Sequence, residues 1–246
     1  MKTVMITGCS SGYGLETARH FHDQGWNVVA TMRTPRPDLL PESKRLRLLS
    51  LDVTKPESIA AALADSGPLD ALVNNAGIGL FGAFEATPMT TVREIFETNT
   101  FGVMAMTQAV IPQFRAQRSG TIVNVTSSAT LAPFPLVAVY TASKVAIEGF
   151  TESLALELGT FGVSVKLIEP GYGPGTNFAK NGGPRMEGLL PEPYAAFAES
   201  IFASLGRGTS FTTPADVAEA VWRSVTDATP IIHYPAGPDA VALAQA

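Results

Sequence analysis

The chain has 246 residues, 46% of them apolar and 16% charged, which excludes a disordered or collagen-like polymer and suits a single α/β domain spanning 1–246. The formal net charge is -5 and no run of Lys or Arg exceeds two residues. That leaves no electrostatic footprint for nucleic acid or an anionic membrane, so a small-molecule partner is expected.

Cys9 is the only cysteine, so no internal disulfide is possible, and its place in a Gly/Ser-rich turn reads as packing rather than catalysis. The N-terminal apolar run Val4 to Ile6 is too short for a signal peptide, and no stretch approaches ~18 uninterrupted apolar residues. The expected location is the cytoplasm.

In chain order, "TVMI" (3–6), "NVVATM" (27–32), "LRLLSL" (46–51), "DALVNN" (70–75), "TIVNVTS" (121–127) and "VSVKLIE" (163–169) are short apolar or β-branched runs bounded by Gly, Pro, Asp or Asn. They predict buried parallel strands, and "PIIHY" (230–234) predicts a seventh. Helical patterns fall between them at 14–24, 56–65, about 90–117, about 138–160 and 214–227. This alternation predicts a three-layer, doubly wound parallel sheet of about seven strands with helices on both faces. From Gly171 to Thr213 the chain is rich in Gly and Pro but carries Phe178, Met186, Leu189, Leu190, Tyr194, Phe197, Phe202 and Phe211. It reads as a partly helical flap.

The turn after the first strand, "TGCSSGYG" (7–14), opens the first helix with glycines at 8, 12 and 14. Small residues there let the backbone approach a pyrophosphate, and the helix start directs N–H groups at it. Gly8, Ser10, Ser11, Gly12, Tyr13 and Gly14 are therefore candidate cofactor contacts. At the end of the second strand an acidic residue would favour NAD, but "ATMRTP" has Met32 and then Arg33. Arginine offers a planar fork of donors for a 2′-phosphate, so NADP(H) is favoured over NAD(H). "LDV" (51–53), with Asp52 and Val53, and "NNAG" (74–77), with Asn75, Ala76 and Gly77, lie at strand ends suited to an adenosine pocket.

"VYTASK" places Tyr140 and Lys144 one helical turn apart. That spacing also occurs on exposed helices and decides nothing by itself. The ordered set "TGCSSGYG", "NNAG", Asn99 within "ETNTFG", "TSS" (126–128), "YTASK" (140–144) and Pro170-Gly171 resembles the single-domain branch of the short-chain dehydrogenase/reductase family across nearly the whole chain. The resemblance implies a Rossmann-type sheet, a nicotinamide cofactor, hydride exchange with an alcohol or carbonyl, and a homodimer or homotetramer. It further implies that Tyr140 is the acid/base, Lys144 its partner and ribose contact, Ser127 the substrate-orienting hydroxyl, and Asn99 a helix-kinking residue that holds a water. Ser127, thirteen residues before Tyr140, fits the family interval, whereas Ser128 would point the opposite way along a strand.

Hydride reduction builds negative charge on oxygen, so donors and one proton must be aimed at that atom. A cation beside the phenol favours its ionised form, and Lys144 is placed to supply it. Where the family has a threonine four residues past the Pro-Gly glycine, positioned to bond the nicotinamide carboxamide, this chain has Gly175, with Thr176 one further on; the resemblance implies cofactor contacts at Pro170 and Gly171, and at Thr176 if a bulge absorbs the extra residue. The ending "HYPAGPDAVALAQA" lacks the Gly-Gly of tetrameric members and is more similar to the steroid and retinoid dehydrogenase-like branch.

Leu131, Phe134, Pro135 and the flap predict a hydrophobic or aromatic carbonyl or alcohol substrate. Lys180 and Arg185 read as solvated rather than as carboxylate ligands, and His20, His22 and His233 as structural or surface residues. No cluster suggests a metal. A non-catalytic NADP(H)-binding regulatory protein of the same fold is the alternative, although such a protein would usually lack the Tyr/Lys pair. An extended epimerase or dehydratase would need a larger C-terminal domain, and an enoyl reductase a wider Tyr-to-Lys interval.

Overall fold

The structure is a computed structural model that describes residues 1–176, 182, 183, 185–206 and 210–246. Seven strands, β1 (Thr3–Ile6), β2 (Asn27–Met32), β3 (Leu46–Ser50), β4 (Ala71–Asn74), β5 (Gly120–Val125), β6 (Val163–Pro170) and β7 (His233–Ala236), form one sheet in the order β3-β2-β1-β4-β5-β6-β7. Every neighbouring pair is parallel. The order reverses between β1 and β4, and the turns leaving their carboxyl ends open a crevice, the usual ligand position in such sheets.

Helices cover both faces, as a parallel sheet requires. α1 (Gly12–Asp23) packs on one side, and its Phe21 meets Trp26 and Trp222 edge-on at 5.2 and 5.1 Å. Trp222 belongs to α7 (Pro214–Thr226), whose start is fixed by Thr213 and Asp216 in reciprocal side-chain bonds. On the opposite side α2 (Pro56–Ser66), α4 (Gly102–Gln117) and α5 (Ala138–Gly159) bury Ile59, Phe114, Leu154 and Leu158 against Met5, Leu72, Ile122 and Val165.

Two elements differ in their bounds from the sequence expectation, and one helix is additional. The helix expected over about 90–117 is α3 (Met89–Phe96) and α4 joined by a π-helical turn, Glu97–Phe101. The extra residue in that turn is accompanied by the inward side chain of Asn99. β7 begins at His233 rather than residue 230, because the carbonyls of Thr229 and Ile231 accept from Lys166 Nζ at 2.7 and 2.6 Å. A short helix, α8 (Pro238–Ala244), follows β7 and had no sequence signal beyond Gly237-Pro238.

The flap contains α6 (Glu192–Gly206) and is tied to the sheet side by backbone bonds. Ala83 N donates to Leu189 O of the flap at 2.8 Å, and the neighbouring Gly82 N to Leu136 O, before α5, at 2.7 Å. Arg185, expected to be solvated, instead donates from Nε to Glu94 Oε1 on α3 at 2.7 Å. Phe178 and Lys180 lie outside the described residues.

Candidate active site

The turn after β1 can take its course only with small residues. Gly8 and Gly12 have φ of +75 and +57°, where side chains are strained. A Cβ on Gly14 would lie 2.5 Å from Gly8 O and collide with the Asn75 amide. The same amide donates to Thr7 O at 2.9 Å and Gly8 O at 3.2 Å, while Thr7 Oγ1 accepts from Asn75 N and Ala76 N at 3.0 and 2.9 Å. The "TGCSSGYG" and "NNAG" segments are thereby laced into one wall across the β1/β4 crevice. Ser11 stands at the start of α1 without capping it through its side chain, so it leaves the first N–H groups of the helix to other acceptors. Cys9 is fully buried, donates Sγ to Ile6 O at 3.2 Å, and has its thiol pushed up to about 12 by burial. It is a packing residue, as its position in the turn suggested.

At the ends of β2 and β3, Met32 is buried and Arg33 is exposed. Burial raises the Asp52 carboxyl, but hydrogen bonds from Thr54 and the charges of Lys55 and Arg33 outweigh it and hold the group below its ordinary value. Arg33 and Asp52 thus share one edge of the crevice. Val53 packs on Gly102, where an added Cβ would meet its Cγ2 at 2.8 Å.

The side chains of Asn99, Ser127, Tyr140 and Lys144 converge from three segments. The Ser127 hydroxyl hydrogen-bonds the Tyr140 phenol and also accepts from Ala129 N at 3.2 Å. Ser127, not Ser128, therefore faces the tyrosine. Burial pushes Tyr140 up to about 12, against the opposing effect of the Ser127 bond, and pulls Lys144 down to about 8. Lys144 Nζ donates to Val125 O at 3.0 Å and lies 5.9 Å from the Tyr140 ring centre. Asn99 is completely buried; its Oδ1 accepts from Ile78 N at 2.8 Å and its Nδ2 donates to Ile78 O at 2.9 Å and to Ser143 Oγ at 3.1 Å. Gly77 closes the group, since a Cβ there would lie 3.3 Å from both Asn99 Oδ1 and Lys144 Nζ.

On the far wall, Pro170 ends β6 and Gly171 is pressed against the Asp239 carboxylate at the start of α8. Asp239 accepts from Tyr172 N and from Thr212 Oγ1, each at 2.6 Å. Thr176 folds back, donating Oγ1 to Gly173 O at 3.0 Å, and its Cβ would lie 3.5 Å from a Cβ on Gly12. The extra residue before Thr176 is thus absorbed within Gly173–Thr176, and Thr176 still reaches the glycine-rich turn.

A sequence model of the short chain dehydrogenase family matches residues 2–186. The chain belongs to the short-chain dehydrogenase family. It is 42% identical over 184 residues to retinol dehydrogenase 8 of Bos taurus, a match covering 69% of this chain and 58% of that protein. The chain thus spans little more than half the length of that relative. Among solved structures, a short-chain dehydrogenase from Streptomyces avermitilis superposes with a TM-score of 0.83 at 32% identity, covering 99% of this chain and 90% of the other. A serine dehydrogenase complexed with NADP+ gives 0.81 at 29% identity, covering 96% and 95%.

The dehydrogenase fold carries a nicotinamide cofactor, and the residues present fit one. Gly8 and Gly12 hold positive φ, a Cβ on Gly8 or Gly14 would collide with the Asn75–Ala76 segment, α1 begins at Gly12 without a side-chain cap, and Thr176 lies beside Gly12. Three contributors escaped the sequence reading: Thr7, Ser143 and Asp239. Ser143 accepts from Asn99 and donates to Tyr140 O at 2.7 Å. It sits inside "YTASK", so position was visible there but the partner was not. Among the described residues no His/Cys/Asp/Glu group could hold a metal, and no helix is long and apolar enough to cross a membrane.

Proposed function

We propose that this chain, as one unit over 1–246, is an NADP(H)-dependent carbonyl reductase acting on a hydrophobic or aromatic ketone or aldehyde and its alcohol. The observation that carries the reading is the hydrogen-bonded Ser127–Tyr140 pair beside buried Lys144 at the mouth of the glycine cradle. Gly8, Ser10, Ser11, Gly12, Tyr13, Gly14, Asp52, Val53, Asn75, Ala76, Gly77, Tyr140, Lys144, Pro170, Gly171 and Thr176 would hold the dinucleotide, with Arg33 on the 2′-phosphate. When bound, the nicotinamide supplies the hydride.

The chain's own residues then supply the rest. Ser127 Oγ donates a hydrogen bond to the substrate oxygen, and Tyr140 Oη gives that oxygen its proton as negative charge develops. A phenol pushed up to about 12 keeps its proton through neutral pH, which suits the reducing direction. Lys144 offers its ammonium to the phenolate left behind, and Asn99 holds the helix turn that presents Ser143 and Tyr140. Phe134, Tyr172, Phe197 and Phe202 expose apolar surface on the serine loop and flap, which supports a hydrophobic substrate.

NADPH oxidation over aromatic, aliphatic, steroidal and keto-ester carbonyls tests the reading. Turnover of at least one class is expected. NADPH binding without any turnover would favour the non-catalytic regulatory alternative. For the cofactor, Arg33→Ala should raise KM for NADPH about tenfold while leaving that for NADH nearly unchanged; equal effects would overturn the 2′-phosphate assignment.

A further inference from the structure

The chain leaving β6 and the chain returning to α7 meet at the start of α8. Tyr172 N donates to Asp239 Oδ2 at 2.6 Å, and Thr212 N donates to Tyr172 O at 2.9 Å. Thr212 Oγ1 lies 2.6 Å from Asp239 Oδ1 and 3.0 Å from Ala236 O. Tyr172 and Thr212 stand next to the two ends of the flap, so one carboxylate holds both. Thr212 is buried, and a Cβ on Gly237 would run into its hydroxyl. The residues on either side of Tyr172 are confined as well. Gly171 N donates to Ala236 O at 3.1 Å, and a Cβ on Gly173 would collide with the Tyr13 hydroxyl and lie 3.2 Å from Thr212 O.

A carboxylate only accepts, and its two oxygens can take donors from two separate stretches of chain. Hydrogen bonds to such an acceptor are shorter and stronger than neutral ones. With Tyr172 held by its own N–H, and Phe211 adjoining Thr212, the two rings meet edge-on, their centres 6.0 Å apart. Tyr172 is 45% exposed, and its ring is part of the apolar surface that the flap offers to substrate.

We propose that Asp239 is a positioning residue for substrate recognition: by clasping the flap's departure at Tyr172 to its return at Thr212, it sets the Tyr172–Phe211 ring pair against the apolar body of the carbonyl. Asp239 acts through Tyr172 and not on the reacting atoms. The assignment rests on the carbonyl reductase reading of the site. Cofactor binding is insulated from the clasp, because Gly171 is held separately by Ala236 O. Ser127, Tyr140 and Lys144 stand on other elements. The effect is therefore confined to substrates large enough to reach Tyr172.

Steady-state kinetics with NADPH and the largest aromatic and smallest aliphatic carbonyls accepted by wild type test this. Asp239→Ala should raise KM for the aromatic carbonyl about tenfold, while KM for the aliphatic one and for NADPH, and kcat with both, move less than about twofold. Asp239→Asn should stay within about twofold of wild type throughout. Its amide oxygen can accept from Tyr172 N, and its amide nitrogen can donate to Thr212 Oγ1, whose own hydrogen then turns to Ala236 O. Asp239→Ala added to Tyr172→Ala should change KM little further, since the ring that the clasp positions is gone. Without substrate, amide hydrogen exchange at Tyr172 should quicken about tenfold or more in Asp239→Ala and stay unchanged at Gly171. Wild-type KM for the aromatic carbonyl in Asp239→Ala, an equal rise for both carbonyls, full additivity with Tyr172→Ala, or unchanged exchange at Tyr172 would overturn the assignment. Tyr140→Phe, run in parallel, separates the two claims: if it is inactive and Asp239→Ala is normal, only this inference fails, whereas if it is fully active the reading of the site fails.

Discussion

Tyr140 and Lys144 lie one helical turn apart, and burial shifts both toward their neutral forms, the phenol up to about 12 and the ammonium down to about 8. In the proposed mechanism the tyrosine therefore stands ready as a donor. Nearby, Gly14 shows how tightly the cradle is drawn. Gly14→Ala would press a methyl group into Gly8 O and the Asn75 amide, and should cost about 1–3 kcal/mol of stability with loss of NADPH binding. Thermal unfolding with and without NADPH measures both, and an unchanged melting temperature with normal NADPH stabilisation would contradict the packing argument. These positions were legible in the sequence because each sits in a local pattern: glycines in a strand-to-helix turn, or a phenol and an amine at one-turn spacing. Thr7 and Asp239 were not. Their partners are Asn75 and Ala76, and Tyr172 and Thr212, and only the fold brings them within reach.

Among the elements, β1, β2 and β4 to β6 were legible as apolar runs because a parallel strand covered on both faces has little need of polar residues; β3, expected to be buried, is an edge strand with no fully buried residue. β7 was misplaced at its start since Lys166, from the neighbouring strand, occupies the carbonyls of Thr229 and Ile231. The π-helical turn was legible only through the family resemblance, which marks Asn99 as a helix-kinking residue; the continuous helical pattern through residues 90–117 by itself carries no mark of Asn99 bridging to Ile78. β7 is also joined to α5 and β6 by His233. Burial lowers the imidazole, but the hydrogen bonds and charges of Glu169 and Glu152 outweigh it and raise its pKa above the ordinary value. A raised folded-state pKa stabilises fully below the unfolded value of about 6.5, and that stabilisation is lost as pH rises through the folded value. The melting temperature of wild type should thus exceed that of His233→Gln at acidic pH and converge with it at alkaline pH. A gap independent of pH would show that the ion pairs contribute nothing.

At the scale of the whole molecule, the sheet order β3-β2-β1-β4-β5-β6-β7 brings the ends of β1, β4, β5 and β6 to one crevice. The glycine turn, "NNAG", the serine turn and Pro170-Gly171 therefore meet although they are spread over 164 residues of chain, from Gly8 to Gly171. The order of these segments was enough to reveal the family, since no single one is specific. Substrate identity was less legible, because it depends on the flap and on Phe134, Tyr172, Phe197 and Phe202, whose exposed apolar surface constrains polarity but not shape.

Tyr140→Phe removes one oxygen and leaves the packing of α5 in place. The most direct measurement is the rate of NADPH oxidation by wild type and this variant with the same saturating carbonyl. If Tyr140 supplies the proton, the variant loses about 10²–10⁴ in kcat and still binds NADPH; retention of most of the wild-type rate would contradict the mechanism.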